Sequence, residues 1–291
     1  MYQRRTDLAL EARELRRGAA LPGVETAERT VFGCAVTEVR ITEKAAAEAL
    51  GKPPGTYVTL DLRPFDARDA AAAERAARAV GSELRALLRR AGVTSALVAG
   101  LGNADMTPDA LGPLAAERVL VTRHLTGRGV FAGLAPVSVL TPGVLGRTGI
   151  EAAETLRGAA RAVRPDAVIA VDALAARALA RVCATVQLSD AGIVPGSGVG
   201  NRRAALDRET LGLPVFAVGV PTVVDAATLA LDLLEEAGAE LPDPAALPGA
   251  EVTVTPRDID AQVRALARIV GMGVNLALQP LGRDALAALT E

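Results

Sequence analysis

Aromatic residues are nearly missing from this chain: Trp is absent, and four Phe and two Tyr are all that occur in 291 residues. That scarcity excludes the surface stacking platforms on which single-stranded nucleic acid is bound, and it leaves an aliphatic core. An excess of either charge is missing too. The 32 basic and 34 acidic residues are interspersed and sum to −2, so the chain as a whole does not attract nucleic acid or an anionic membrane. Only two cysteines occur, Cys34 and Cys183, each inside an apolar β-like run. They exclude a disulfide framework and read as buried thiols. The N-terminus lacks the apolar core of a secretory signal, and no uncharged apolar run reaches membrane-spanning length. The expectation is a soluble, cytoplasmic protein with no membrane partner and no direct nucleic-acid partner.

Histidine is scarcest of all, with His124 alone. A Ser-His-Asp or Cys-His arrangement would have to use it, yet no Gly-x-Ser-x-Gly elbow is present, and Ser197 lacks those flanking glycines. His124 therefore reads as a structural or substrate-positioning residue. Metal chemistry is poorly supplied for the same reason: there is no His-Glu-x-x-His and no close Cys pair. A carboxylate-held divalent ion is the weakest reading left open, and no metal or cofactor is expected.

What is present is hydrophobic (50%) with 23% charge, enough for a substantial core and against disorder. β-Branched residues recur over 30–41 and 56–62, as expected of strands. Residues 66–91 carry helix formers at helical apolar spacing, with Gly92 as a stop. A strand over 95–100 follows, then an apolar run over 130–140, a helix over about 151–163, and a strand over 167–171 ending at Asp172. The remaining pattern is a short Ala-rich helix, a strand near 184–188, a Gly-rich loop, a strand over 214–220, a helix over about 224–236, a surface loop over 241–249 and a helical tail from about 257. Alternating strands and helices predict an α/β three-layer sandwich with a largely parallel or mixed central sheet. No repeat or low-complexity linker divides the chain, so residues 1–291 are expected to form one domain with insertions.

Two strand-like runs end in aspartates, Asp109 after Gly100-Leu-Gly-Asn103 and Asp172 after Ala167-Val-Ile-Ala-Val171. An open parallel sheet gathers ligands outside the carboxyl ends of its strands. If these strands are neighbours, the aspartates face each other, and two close carboxylates tend to share one proton and so supply acid and base together. Either aspartate read alone is as readily a helix cap, and Asp105, Asp190 and Asp225 are alternative partners that spacing does not eliminate. The loop Gly196-Ser-Gly-Val-Gly200 lacks the Lys-Ser/Thr of a phosphate loop. It reads either as a plain turn or as backbone that approaches a substrate carbonyl closely.

Arg5-Thr-Asp-Leu-Ala9, Gly100-Leu-Gly-Asn103, Thr107-Pro-Asp-Ala-Leu-Gly-Pro113, Val121-Thr-Arg-His-Leu125, Pro142-Gly-Val144, Pro195-Gly-Ser-Gly-Val-Gly-Asn201 and Gly219-Val-Pro-Thr-Val-Val-Asp225 together resemble the germination protease (spore endopeptidase) family over nearly the whole chain. The resemblance implies an atypical aspartic endopeptidase that degrades small acid-soluble spore proteins at germination, in the spore core. It also implies a fold like that of hydrogenase maturation proteases and a homotetramer made as a self-trimming precursor. It places the catalytic aspartates at Asp109 and Asp172, with Asn103, Thr107, His124, Asp190, Gly196, Ser197 and Gly198 as supporting residues. Residues 1–4 would be a remnant of the family's propeptide, and no Glu precedes Arg5 to match its cleavage position. Two further readings are a hydrogenase-maturation-type protease that uses bound nickel, and a non-catalytic binding protein on the same fold.

Overall fold

The computed structural model describes residues 5–16, 21–63, 69–127, 129–200, 203–240, 242 and 252–290. The chain opens with helix α1 (Ala9–Glu14) and the hairpin β1 (Val24–Val31) and β2 (Cys34–Ile41). The run over 30–41, expected as one strand, breaks at Phe32 and Gly33, both at positive φ, which is the geometry of a two-residue hairpin turn. Next come α2 (Lys44–Leu50), β3 (Gly55–Asp61) and α3 (Ala70–Arg90). Asp69 caps α3, its carboxylate accepting from the amides of Ala71 and Ala72, and left-handed Gly92 follows its end. The first residues of the predicted helix, 66–68, lie outside the described residues.

The chain continues through β4 (Ala96–Gly100), α4 (Leu111–Ala116), β5 (Val137–Leu140), α5 (Leu145–Thr148), α6 (Ala152–Val163) and β6 (Ala167–Ala176). It ends with β7 (Thr185–Ser189), α7 (Arg208–Leu211), β8 (Val215–Asp225), α8 (Ala226–Glu236), β9 (Thr253–Val254), α9 (Ile259–Leu278) and α10 (Arg283–Thr290). The predicted loop over 241–249 falls almost wholly outside the described residues. One expectation fails outright: the Ala-rich stretch after Asp172 is not helical. β6 continues to Ala176, paired in parallel with β8, so strand pairing overrides the helix propensity of alanine.

The nine strands of the described residues form one mixed sheet in the order β1-β2-β3-β7-β8-β6-β4-β5, with β9 on β8. The β8-β6-β4-β5 half is parallel and the β1-β2-β3-β7 half antiparallel, with β7 antiparallel to β8 as well. Because side chains alternate across a strand, the two faces can be read off directly. Val58, Leu60, Val186, Leu188, Phe216, Val218, Ile169 and Val171 point to one face, where they share a core with α3, α4 and α9. The opposite face is covered in two separate patches. Val168, Ala170 and Val215 pack with α6 and α7 at one end, and Val39, Ile41 and Tyr57 pack with α1 and α2 at the other. Between the patches, Gln187, Ser189, Ala217 and Gly219 line one cavity and Asp172 lines the next. The sheet is thus sealed on one face and has an open strip on the other.

Candidate active site

Asp109 is placed by a close approach of backbones. β4 stops at Gly100, paired with Val171, and the chain turns through Gly102 at φ +106 into a single 3-10 turn, Thr107–Asp109, that leads into α4. A Cβ at Gly102 would lie 2.1 Å from the carbonyl oxygen of Asp109, and one at Gly112 would lie 2.2 Å from that of Leu101 and 2.4 Å from that of Val171. Only glycine at both positions lets the turn sit directly on the strand ends. The backbone N–H of Asn103 then donates to Asp109 Oδ2 at 2.7 Å.

Asp172 reaches the same place from β6. β4 ends opposite Val171, whereas β6 and β8 run on together, so Asp172 stands one residue past the edge of β4, facing the space that β4 vacates. Its side chain belongs to the face of Val168 and Ala170, it is only 4% exposed, and the amide of Ala173 donates to its Oδ1 at 2.9 Å. The condition under which the two aspartates would face each other is met: β4 and β6 are paired neighbours. Asp109 and Asp172 line one cavity of about 420 Å³, together with Gly102, Asn103, Gly196, Arg203 and Thr222.

The electrostatics of the pair are unequal. Burial, then the charges of Asp109 and Asp7, push the Asp172 carboxyl well above the usual carboxylate range. Asp109 is raised as well, by burial, but the Asn103 amide counteracts this. A half-buried carboxylate that accepts an amide beside a deeply buried one whose proton is lost less readily is an arrangement suited to taking a proton from water and giving one to a leaving group.

The supporting residues divide. Asn103 and Gly196 line the cavity of the pair. The Ser197 hydroxyl donates to Asp7 at 2.6 Å, and Gly198 packs against Asp7 and Ala175 so tightly that a Cβ would lie 2.2 Å from Asp7 Oδ2. Thr107 opens the 3-10 turn, its carbonyl accepting from Ala110. Asp190 accepts from the Thr56 amide at 2.6 Å, extending the β3–β7 pairing, and it is absent from the cavity wall. His124 lies exposed in the turn over 122–127, away from both cavities. Asn201 lies outside the described residues.

The family profile described as germination protease matches residues 5–237. The chain belongs to the germination protease family. A germination protease of Caldanaerobacter subterraneus subsp. tengcongensis is 41% identical over 95% of this chain and 94% of its own length. That of Clostridium tetani is 38% identical over 95% of each. That of Bacillus cereus strain G9842 is 46% identical over 80% of this chain, which spans 66% of the length of that relative. Among solved structures, the NiFe hydrogenase maturation protease HycI of Thermococcus kodakarensis is 20% identical, covers 66% of this chain and 98% of its own, and has a TM-score of 0.37. That likeness is too loose to carry an argument.

Membership in this family makes the chain a protease with a role in spore germination. The nickel reading meets a donor set that does not fit it: the cavity offers carboxylates and no imidazole. Among the described residues, no three His, Cys, Asp or Glu side chains are grouped so as to hold a metal ion. No helix of the described residues is long and apolar enough to cross a membrane.

One residue at the site escapes a reading of isolated residues. Asp7 lines the 420 Å³ cavity and also a neighbouring one of about 620 Å³ under α1 and α2. Its amide donates to the carbonyl of Ala175 at 2.9 Å, so the N-terminal segment lies across the open strip of the sheet. Glu11, 1% exposed, fastens the same segment by accepting from the amides of Arg177 and Ala178. These contacts join residues more than 160 positions apart, and no local pattern signals them. The only sign of Asp7 in the sequence is its place in the Arg5–Ala9 motif.

Proposed function

We propose that this protease is an atypical aspartic endopeptidase that begins the degradation of small acid-soluble spore proteins at germination, and that Asp109 and Asp172 activate the attacking water. The observation that carries this reading is the convergence of both carboxyls on one cavity, Asp172 buried and Asp109 half-buried, each accepting a backbone amide. Asp109, ionised, takes a proton from water. Asp172, protonated, polarises the scissile carbonyl and then donates toward the departing amine, after which the proton that Asp109 took from water passes to Asp172 and restores the pair before the next substrate binds. Backbone groups around Asn103 and Gly196 face the same space and supply dipoles for the developing oxyanion. The spore core as compartment, the homotetramer and the self-trimming precursor belong to this proposal through the family resemblance.

The test is digestion of a purified small acid-soluble spore protein by wild type, Asp109→Asn and Asp172→Asn, with and without chelator, read by mass spectrometry. Wild type is expected to cut at defined positions whether or not chelator is present. Each variant, folded by circular dichroism, is expected to lose about 10²–10⁴-fold in kcat. Cutting by either variant at the wild-type rate would sink the pair, and chelator-sensitive cutting would return the metal-dependent reading.

A further inference from the structure

The water-activating pair leaves one carboxylate at the site without a task. Asp7 Oδ1 accepts from the Ser197 hydroxyl at 2.6 Å and Oδ2 from the Ala175 amide at 2.9 Å. Its carbonyl accepts from Lys52 Nζ at 3.0 Å and from Gln187 Nε2 at 3.1 Å. The N-terminal segment, the Gly-rich turn over 196–200 and the end of β6 therefore meet at one side chain, and Ala175 is three residues beyond Asp172 on that strand. The absence of a side chain at Gly198 is what admits Asp7 there. A surface ion pair would leave such a carboxylate free to move, whereas here hydrogen bonds from separate elements fix both oxygens.

We propose that Asp7 is a positioning residue for the aspartate pair: through Ser197 and the Ala175 amide it holds the Gly196–Gly200 turn and the end of β6 in place beside Asp172. This rests on the aspartate-pair reading above. The charge of Asp7 acts as well, opposing the loss of the proton on Asp172. The other charged groups on that cavity wall are Asp109 from the 3-10 turn, Glu151 before α6 and Arg203 after the Gly-rich turn. On the far side of Asp7 stand Arg5, Arg16, Lys52 and Asp207.

The experiment compares wild type, Asp7→Asn and Ser197→Ala in kcat, KM and pH profile on the spore-protein substrate. In parallel, the carboxyl ¹³C titration of Asp172 is followed by NMR, assigned through its loss in Asp172→Asn. Asp7→Asn keeps the shape and removes the charge. It is expected to lower kcat about tenfold with KM little changed, to move the alkaline limb of the kcat profile to lower pH, and to make Asp172 titrate at lower pH. Ser197→Ala keeps the charge and releases the turn, so kcat falls by about threefold while the alkaline limb stays in place. An unmoved Asp172 titration in Asp7→Asn, or wild-type kcat in both variants, overturns the proposal. The NMR titration reads it even if wild type cuts no spore protein, which would be a failure of the function and not of the positioning. If Asp7→Asn does not fold, Ser197→Ala decides: wild-type kcat with unchanged Gly196 and Gly198 amide resonances overturns the proposal.

Discussion

The two faces of the sheet use the same strands for opposite purposes. On the sealed face, Leu266, Ile269, Val270 and Val274 of α9 and Leu84 and Leu88 of α3 share one apolar core with Val58, Leu60, Val186, Leu188, Phe216 and Val218 of the strands. On the open face, the same strands present Asp172, Gln187 and Ser189, all nearly inaccessible, beside Ala217 and Gly219, which line the neighbouring cavity, Gly219 lacking the side chain that would meet Leu174. Burial of aliphatic area stabilises the fold, whereas burial of a carboxyl opposes it unless the group holds a proton or finds donors. The comparison teaches that the apolar core and the candidate site are separated here by the period-two alternation of strands.

Three substitutions sharpen or break this separation. The largest effect is expected from Leu266→Ala on the sealed face. It should cost about 2–5 kcal/mol in chemical denaturation and leave the kcat of the folded fraction unchanged, because the lost side chain faces away from the aspartates. A fall in kcat at full folding would mean that the faces are coupled. Gly112→Ala, at the junction of the two, is expected to lose about 1–3 kcal/mol by overpacking against the Leu101 and Val171 carbonyls, and to lose activity with it, because the turn carrying Asp109 must lift off the strand ends. Retained activity in this variant would show that Asp109 is not held by the close approach.

The smallest effect is Asp172→Asn on the stability of the fold, where the sign is the informative part. The folded-state pKa of Asp172 is raised, by burial first and then by Asp109 and Asp7. The folded chain therefore favours the protonated form, and stability is lost as pH rises above the unfolded carboxyl range toward the folded pKa. Asn keeps the shape and can still accept from the Ala173 amide, but it does not titrate. Its Tm should match wild type near pH 4 and exceed it increasingly as pH rises. A variant less stable than wild type at pH 8 would mean that Asp172 serves the fold and not the chemistry.

The frame of the fold was legible where local signals agreed. Helices α3, α6 and α9 show helical apolar spacing, and β4 is a short apolar run bounded by turn residues. The rule that ligands gather past strand ends made Asp109 and Asp172 candidates on the condition that their strands are neighbours, and β4 and β6 do pair; spacing left Asp105, Asp190 and Asp225 open, and only the family resemblance selected the pair. What was illegible depends on distant partners. Residues 173–176 look helical by composition, and β8 alone makes them a strand. Asp190 has the look of a site carboxylate and is spent on a backbone amide of β3. Asp7 becomes a site residue only through Ala175 and Ser197, contacts that no window of sequence contains.

The bonds of Asp7 and Glu11 to the far end of β6 also carry a consequence for the order of events during synthesis. The segment that crosses the open strip is made well before its anchors at Ala175, Arg177 and Ser197, which follow 166 to 190 residues later. Contacts of such separation form late in folding, and the strand that flanks Asp172, β8, is made later still. A chain made only as far as α4 therefore holds the Asp109 turn without the wall around it, and the cavity is complete only once β8 and Thr253 have emerged.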